Sequence, residues 1–138
     1  MNYWLVKSEP ETYSWQQLEK DGIIRWDGVR NFQARNNLKG MKKGDMLLFY
    51  HSINQKQVVG IAKVQKEHYP DPTTNDVRWV AVDIEPVRPL KNTVTLPKIK
   101  HDQRLENIAL LKQSRLSVMP LSKEEFDAIV ELGNTLMT

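Results

Sequence analysis

Residues 46–67, MLLFYHSINQKQVVGIAKVQKE, hold the segment whose reading decides the fold. Met46–His51 is an apolar run of strand length. Asn54-Gln55-Lys56 is turn chemistry, and Gln57–Glu67 returns with Val58, Gly60, Ala62 and Val64 alternating with Val59, Ile61 and Lys63. This is a hairpin whose second strand is apolar on both faces at its start, so both faces are covered there. Upstream, Lys43-Gly44-Asp45 is a turn. Asn31 caps a helix over Phe32–Lys39 that Gly40 ends, and Ser14-x-x-Gln17 opens a helix over Trp15–Asp21 that Gly22 stops. Asn2–Lys7 reads as a short strand. Downstream, the two prolines and four turn-formers of Tyr69–Asp76 read as a loop. Val77–Val87 alternates as a strand, with Val80, Val82 and Ile84 on one face.

Pro97 suits the first turn of a short helix. Leu105, Ile108, Ala109, Leu110 and Leu111 predict one partly buried helix, and Leu116–Met119 a last strand ended by Pro120. Ser122-x-x-Glu125 is a capping box opening an amphipathic helix, with Phe126, Ile129 and Val130 inward and Gly133 as its stop. There is no βαβα alternation and no glycine fingerprint after a strand, which argues against a nucleotide-binding parallel sheet. The expectation is an α+β fold: a mostly antiparallel, barrel-like sheet flanked by short helices.

The 138 residues fit one domain, 1–138. With 40% hydrophobic and 27% charged residues the chain has an ordinary globular composition. It has no cysteine, which removes disulfides, a thiolate nucleophile and Cys-based metal sites. Three widely spaced histidines leave little for a His-based site, so neither metal nor cofactor is expected. No apolar run spans a membrane, and the N-terminus lacks a basic n-region. The expectation is a soluble, cytoplasmic protein, read as a monomer.

The net charge of +3 hides an uneven layout. Residues 25–43 carry Arg25, Arg30, Arg35, Lys39, Lys42 and Lys43 against Asp27 alone. Residues 86–115 carry seven cations against Asp102 and Glu106, whereas 116–138 is acidic. If the basic segments meet, they form the footprint of a polyanion partner; on charge alone solvated surface is the favoured reading, as for most Lys-rich stretches.

Several short segments hold the chemistry. Trp26-Asp27-Gly28-Val29-Arg30-Asn31 places an indole, a turn and a guanidinium together, with Arg35 four residues after Asn31 on the same helical face. A lone Trp26 reads as core; these polar neighbours bring a binding role level with it. Lys7-Ser8-Glu9-Pro10 ends the first strand, and Tyr50-His51-Ser52 ends Met46–Phe49 in hydrogen-bonding side chains. Ser114-Arg115-Leu116-Ser117 could clamp phosphate or simply enter a strand.

These motifs, with Ala34-Arg35-Asn36, Gly44-Asp45 and Tyr69-Pro70-Asp71-Pro72, resemble the EVE domain family over nearly the whole chain. The resemblance implies a PUA-like fold and a module that reads modified bases in DNA or RNA, notably methylated or hydroxymethylated cytosine. It also implies that the four segments converge on one pocket, nominating Lys7, Ser8, Trp26, Arg30, Asn31, Arg35, Tyr50, His51, Ser52, Arg115 and Ser117. In this reading a flipped base stacks on Trp26, with Tyr50 as a second stacking candidate, while the basic segments hold phosphates. One rival is a hydrolase of modified nucleosides, similar to the ASCH type, using Lys7 with Glu9 or His51. Another is a protein-binding module presenting the acidic helix Lys123–Leu132.

Overall fold

The structure, a computed structural model, describes residues 1–135. Its single six-stranded sheet comprises β1 (Tyr3–Ser8), β2 (Ile24–Trp26), β3 (Met46–His51), β4 (Gln57–Pro70), β5 (Val80–Thr95) and β6 (Val118–Leu121). They lie in the order β2-β5-β4-β3-β1-β6. Every pairing is antiparallel except β1 with β3, which run parallel with Lys7 opposite Tyr50 and Ser8 opposite His51. A parallel pair needs a crossover. Here it is α1 (Trp15–Asp21), β2 and α2 (Phe32–Gly40). The α+β class agrees with the sequence. The hydrogen-bonded order has two ends, at β2 and β6.

The local signals work as read. Ser14 Oγ accepts from Gln17 N at 3.1 Å, and Asn31 Oδ1 from Ala34 N at 2.9 Å. The Ser122–Glu125 capping box closes reciprocally at the start of α5 (Lys123–Leu132). Phe126, Ile129 and Val130 are buried, and the Phe126 ring meets Tyr3 at 4.7 Å. The acidic helix is thus docked on its own sheet, against β1, β5 and β6.

The prolines depart from expectation. Tyr69 and Pro70 belong to β4 rather than to a loop, and β5 starts at Val80 and runs through Pro86 and Pro89 to Thr95. Pro86 sits opposite Ala62 and Pro89 opposite Gly60, both at places where the ladder slips register. A bulge leaves a residue unpaired, so a missing N–H costs nothing there, and the slips bend these long strands. Likewise Pro120 lies inside β6 because β6 is an edge. The helix expected over Leu105–Leu111 is split into a 3-10 turn, Gln103–Leu105, and a short helix, Ala109–Lys112. Ile108 between them is extended. On one continuous helix Leu110 would lie far around from Leu105 and Ile108; the break lets all three bury. Leu96–His101 forms the helix that Pro97 opens. In chain order these three helices and the 3-10 turn after β5 are α3 (Leu96–His101), the 3-10 turn, α4 (Ala109–Lys112) and α5. Among the described residues no helix is long and apolar enough to cross a membrane.

Two close fits fix the sheet's surroundings. Buried Asp45 accepts from Trp4 Nε1 at 3.0 Å, Lys42 N at 2.9 Å and Asn2 N at 3.1 Å, tying β1 to the turn before β3. Gly60 lies under the buried Trp15 indole, where a Cβ would stand 2.6 Å from ring carbons. Gly60→Ala is therefore expected to cost about 1–3 kcal/mol, the range for overpacking a filled core. Urea denaturation of the variant against wild type measures it.

Candidate functional site

Successive residues of a strand face opposite ways. At the end of β1 this sends Lys7 to one side of the sheet and Ser8 to the other; their partners in β3, Tyr50 and His51, follow them. The expected site residues divide accordingly.

On the first side Lys7, Tyr50, Ser52, Arg115 and Ser117 border a cavity of about 830 Å³, joined by Glu9 and Ser114 and by Leu96 and Leu110. Lys7 Nζ donates to Ser114 O at 2.8 Å, while its backbone N–H donates to Ser117 O at 2.9 Å. Burial lowers the Lys7 ammonium from its ordinary value and raises the Tyr50 phenol. Both effects mark a partly dehydrated place in which a bound anion meets little competition from water.

On the second side Ser8 and Trp26 border a cavity of about 350 Å³ with Thr12, Tyr13, Ile24, Arg25 and Asp27. Trp26 is half-buried and meets Phe49 edge-on at 5.7 Å. Ser8 Oγ donates to Tyr13 O at 2.5 Å, leaving its oxygen free to accept. The Tyr13 hydroxyl donates to Asp21 at 2.8 Å, and burial with that carboxylate pushes its pKa well up. Arg25 Nε donates to Asp27 at 2.7 Å. His51 is buried on this side, its Nε2 accepting from Trp15 N at 3.0 Å and its Nδ1 at 2.7 Å from Gln55 Oε1. Because a backbone N–H can only donate, the ring proton sits on Nδ1 and both nitrogens are occupied.

The remaining residues are tied elsewhere. Asn31 caps α2 and borders a depression of about 350 Å³ with Gln33, Lys112 and Arg115, where the first basic segment contributes only uncharged side chains. Arg30 lines neither of the larger cavity nor the Trp26 cavity. It donates to Asp71 at 3.0 Å and Thr73 Oγ1 at 3.1 Å, with its guanidinium 5.6 Å from the Trp79 ring. Arg35 donates to Asn36 and to Arg78 O and lies 5.0 Å from the Phe32 ring. Trp26 and Tyr50 border different cavities, so the four segments form two receptacles rather than one.

Asp71 is the residue that the sequence reading passed over. Its side chain is fully buried and accepts from Gly28 N (2.9 Å), Arg30, Thr73 N (2.8 Å) and Thr73 Oγ1 (2.6 Å). Gly28 is at φ +76°, a conformation glycine adopts freely, and this presents its N–H to the carboxylate. The loop after Trp26 is thus held by one buried anion. Thr12 and Tyr13 were also missed; they follow Pro10 and carry no signal beyond ordinary turn composition.

The geometry defines a small α+β domain with an aromatic, polar-rimmed pocket of heterocycle size beside a cationic cavity. A family model for the EVE domain matches residues 2–132, and the chain belongs to that family. Thymocyte nuclear protein 1 from Mus musculus is 38% identical, aligned over 97% of this chain and 74% of that protein. A crystal structure of a protein from Agrobacterium tumefaciens superposes with a TM-score of 0.96 at 40% identity, covering 100% of this chain and 97% of that one. The human THYN1 protein in complex with 5-methylcytosine-containing DNA superposes at 0.91 with 33% identity, over 99% of each chain. The PUA-like α+β fold implied by the sequence is the one observed.

Burial alone would raise the Asp71 pKa. The hydrogen bonds from Thr73, Gly28 and Arg30 outweigh it and hold the carboxyl well below the usual range. In the unfolded chain it protonates near ~4. The stability it contributes is full above that pH and is lost as pH falls toward the folded value. Asp71→Asn is expected to cost about 2–3 kcal/mol at neutral pH and to lose less on acidification than wild type does. Urea titrations from neutral to acid pH read both effects.

Proposed function

We propose that the chain acts as a single reader module that takes one extruded, modified base, such as methylated or hydroxymethylated cytosine, into the Trp26 cavity. The observation that carries this reading is an indole bordering a cavity of about 350 Å³ whose rim holds Ser8, Thr12 and Asp27. That volume suits a heterocycle. Stacking on Trp26 supplies about 1–3 kcal/mol for any base. Discrimination falls to the rim: a carboxylate such as Asp27 accepts from the exocyclic amine of cytosine, and Ser8 Oγ has a lone pair to offer. Ile24 and the Tyr13 ring are the apolar surface for a methyl group. An apolar wall adds only about 1–3 kcal/mol per methyl, so selectivity over plain cytosine is modest. Arg25 borders the cavity itself, with Lys7 and Arg115 across the end of β1; contacts from such cations to flanking phosphates make affinity fall with salt.

The human relative's complex with 5-methylcytosine-containing DNA supports the choice of ligand. Such a role places the protein inside the cell, with its nucleic acid, and needs one copy and no cofactor. In the hydrolase reading, Lys7 and Glu9 do border one cavity. His51 contributes less to it, since it lies on the other side of the sheet with both ring nitrogens engaged. Binding without turnover is the simpler role for these groups.

Fluorescence anisotropy with oligonucleotides containing 5-methylcytosine tests the proposal. Trp26→Ala is expected to weaken binding about tenfold or more, and Trp26→Phe to retain most of it. Unchanged affinity in the alanine variant rejects the stacking role, and release of product from acylated cytidine would favour the hydrolase instead.

A further inference from the structure

The turn between β3 and β4 is strained in a way its sequence does not require. Ile53 is at φ +68° and Lys56 at φ +47°. Left-handed backbone suits glycine or asparagine and opposes a β-branched side chain, yet the adjacent Asn54 is not the residue placed there. Both ends of the turn are pinned. Ser52 N–H donates to Ser8 O, and Leu96 N–H donates to Lys56 O, each at 2.9 Å. The conformation brings Ile53 and Lys56 to the rim of the 830 Å³ cavity, where Ile53 remains 55% exposed. Strain held by its surroundings at a cavity rim points to a binding role. The lining has a distinct chemistry. Lys7, Lys56 and Arg115 face one carboxylate, Glu9, while Ile53, Leu96 and Leu110 supply an apolar wall. Three cations beside an apolar wall match an anion carrying an apolar, flat body.

We propose that this cavity is a second binding site, separate from the Trp26 cavity, for a nucleoside phosphate. The phosphate lies among Lys7, Lys56 and Arg115, and the sugar and base rest on Ile53 and Leu96. Two sources present this chemistry: a neighbouring nucleotide of the strand whose base is read, or a free mononucleotide. The strand-borne source rests on the base-reading proposal above; the free one does not.

Two arms separate the sources. In the first, cytidine 5′-monophosphate is titrated into the protein while the methyl signals of Ile53, Leu96 and Leu110 are followed by NMR. Shifts that disappear in Lys56→Ala establish the free ligand. In the second, an abasic unit replaces each of the two nucleotides on either side of a 5-methylcytosine. One position is expected to weaken wild type about fivefold and Ile53→Asn less than twofold. Ile53→Asn also relieves the backbone, so its Tm should rise by about 2–4 °C while its affinity falls. A rise in Tm with weaker binding separates a binding role from a structural one. Methyl signals that do not move, together with an abasic scan that is flat at all four neighbours, overturn the proposal. Failure of the base-reading proposal shows differently: an abasic unit in place of the methylcytosine itself then binds as well as the intact strand.

Discussion

The parallel pairing of β1 with β3 is the constraint on which the rest of the site depends. It sets Lys7 beside Tyr50 and Ser8 beside His51, and alternation then sends the two pairs to opposite sides of the sheet. One pair faces the cationic cavity. The other joins Phe49, Trp15 and Trp26 in an aromatic layer with edge-on contacts at 5.6 and 5.7 Å. A single tetrapeptide at the end of β1 therefore borders two cavities, Lys7 and Glu9 on one and Ser8 on the other.

Buried carboxylates fasten the loops around this arrangement. Asp45 collects three N–H donors between β1 and the turn before β3. Asp71 collects donors from the loop after Trp26 and from its own turn. A buried charge is costly unless every lone pair is used, so each of these residues fixes its surroundings closely. Arg30 takes part in this fastening. Its guanidinium, which the sequence offers as a ligand contact, donates to Asp71 and Thr73 while the side chain stays 40% exposed.

What the sequence made legible was local. Ser14, Asn31 and the Ser122–Glu125 box marked helix starts because a cap acts within one turn, and Met46–His51 was legible because its apolar run is continuous. The three residues of β2 were too few for alternation to show. Pro89 hid the second half of β5, since its tolerance depends on a bulge set by the partner strand. The split of the site was out of reach for the same reason: which residues share a cavity follows from the register of β1 on β3, and nothing within either segment states it. Motif spacing named segments, whereas the contacts of Arg30, His51 and Asp71 depend on partners 36 to 43 residues away that only the fold brings near.

The two ends of the sheet have a consequence for how such a domain can be used. β2 has three residues, and β6 has four including Pro120. Exposed edges recruit further strands when they are long and rich in donors, and these are neither. The two terminal strands therefore offer little template for pairing with another chain.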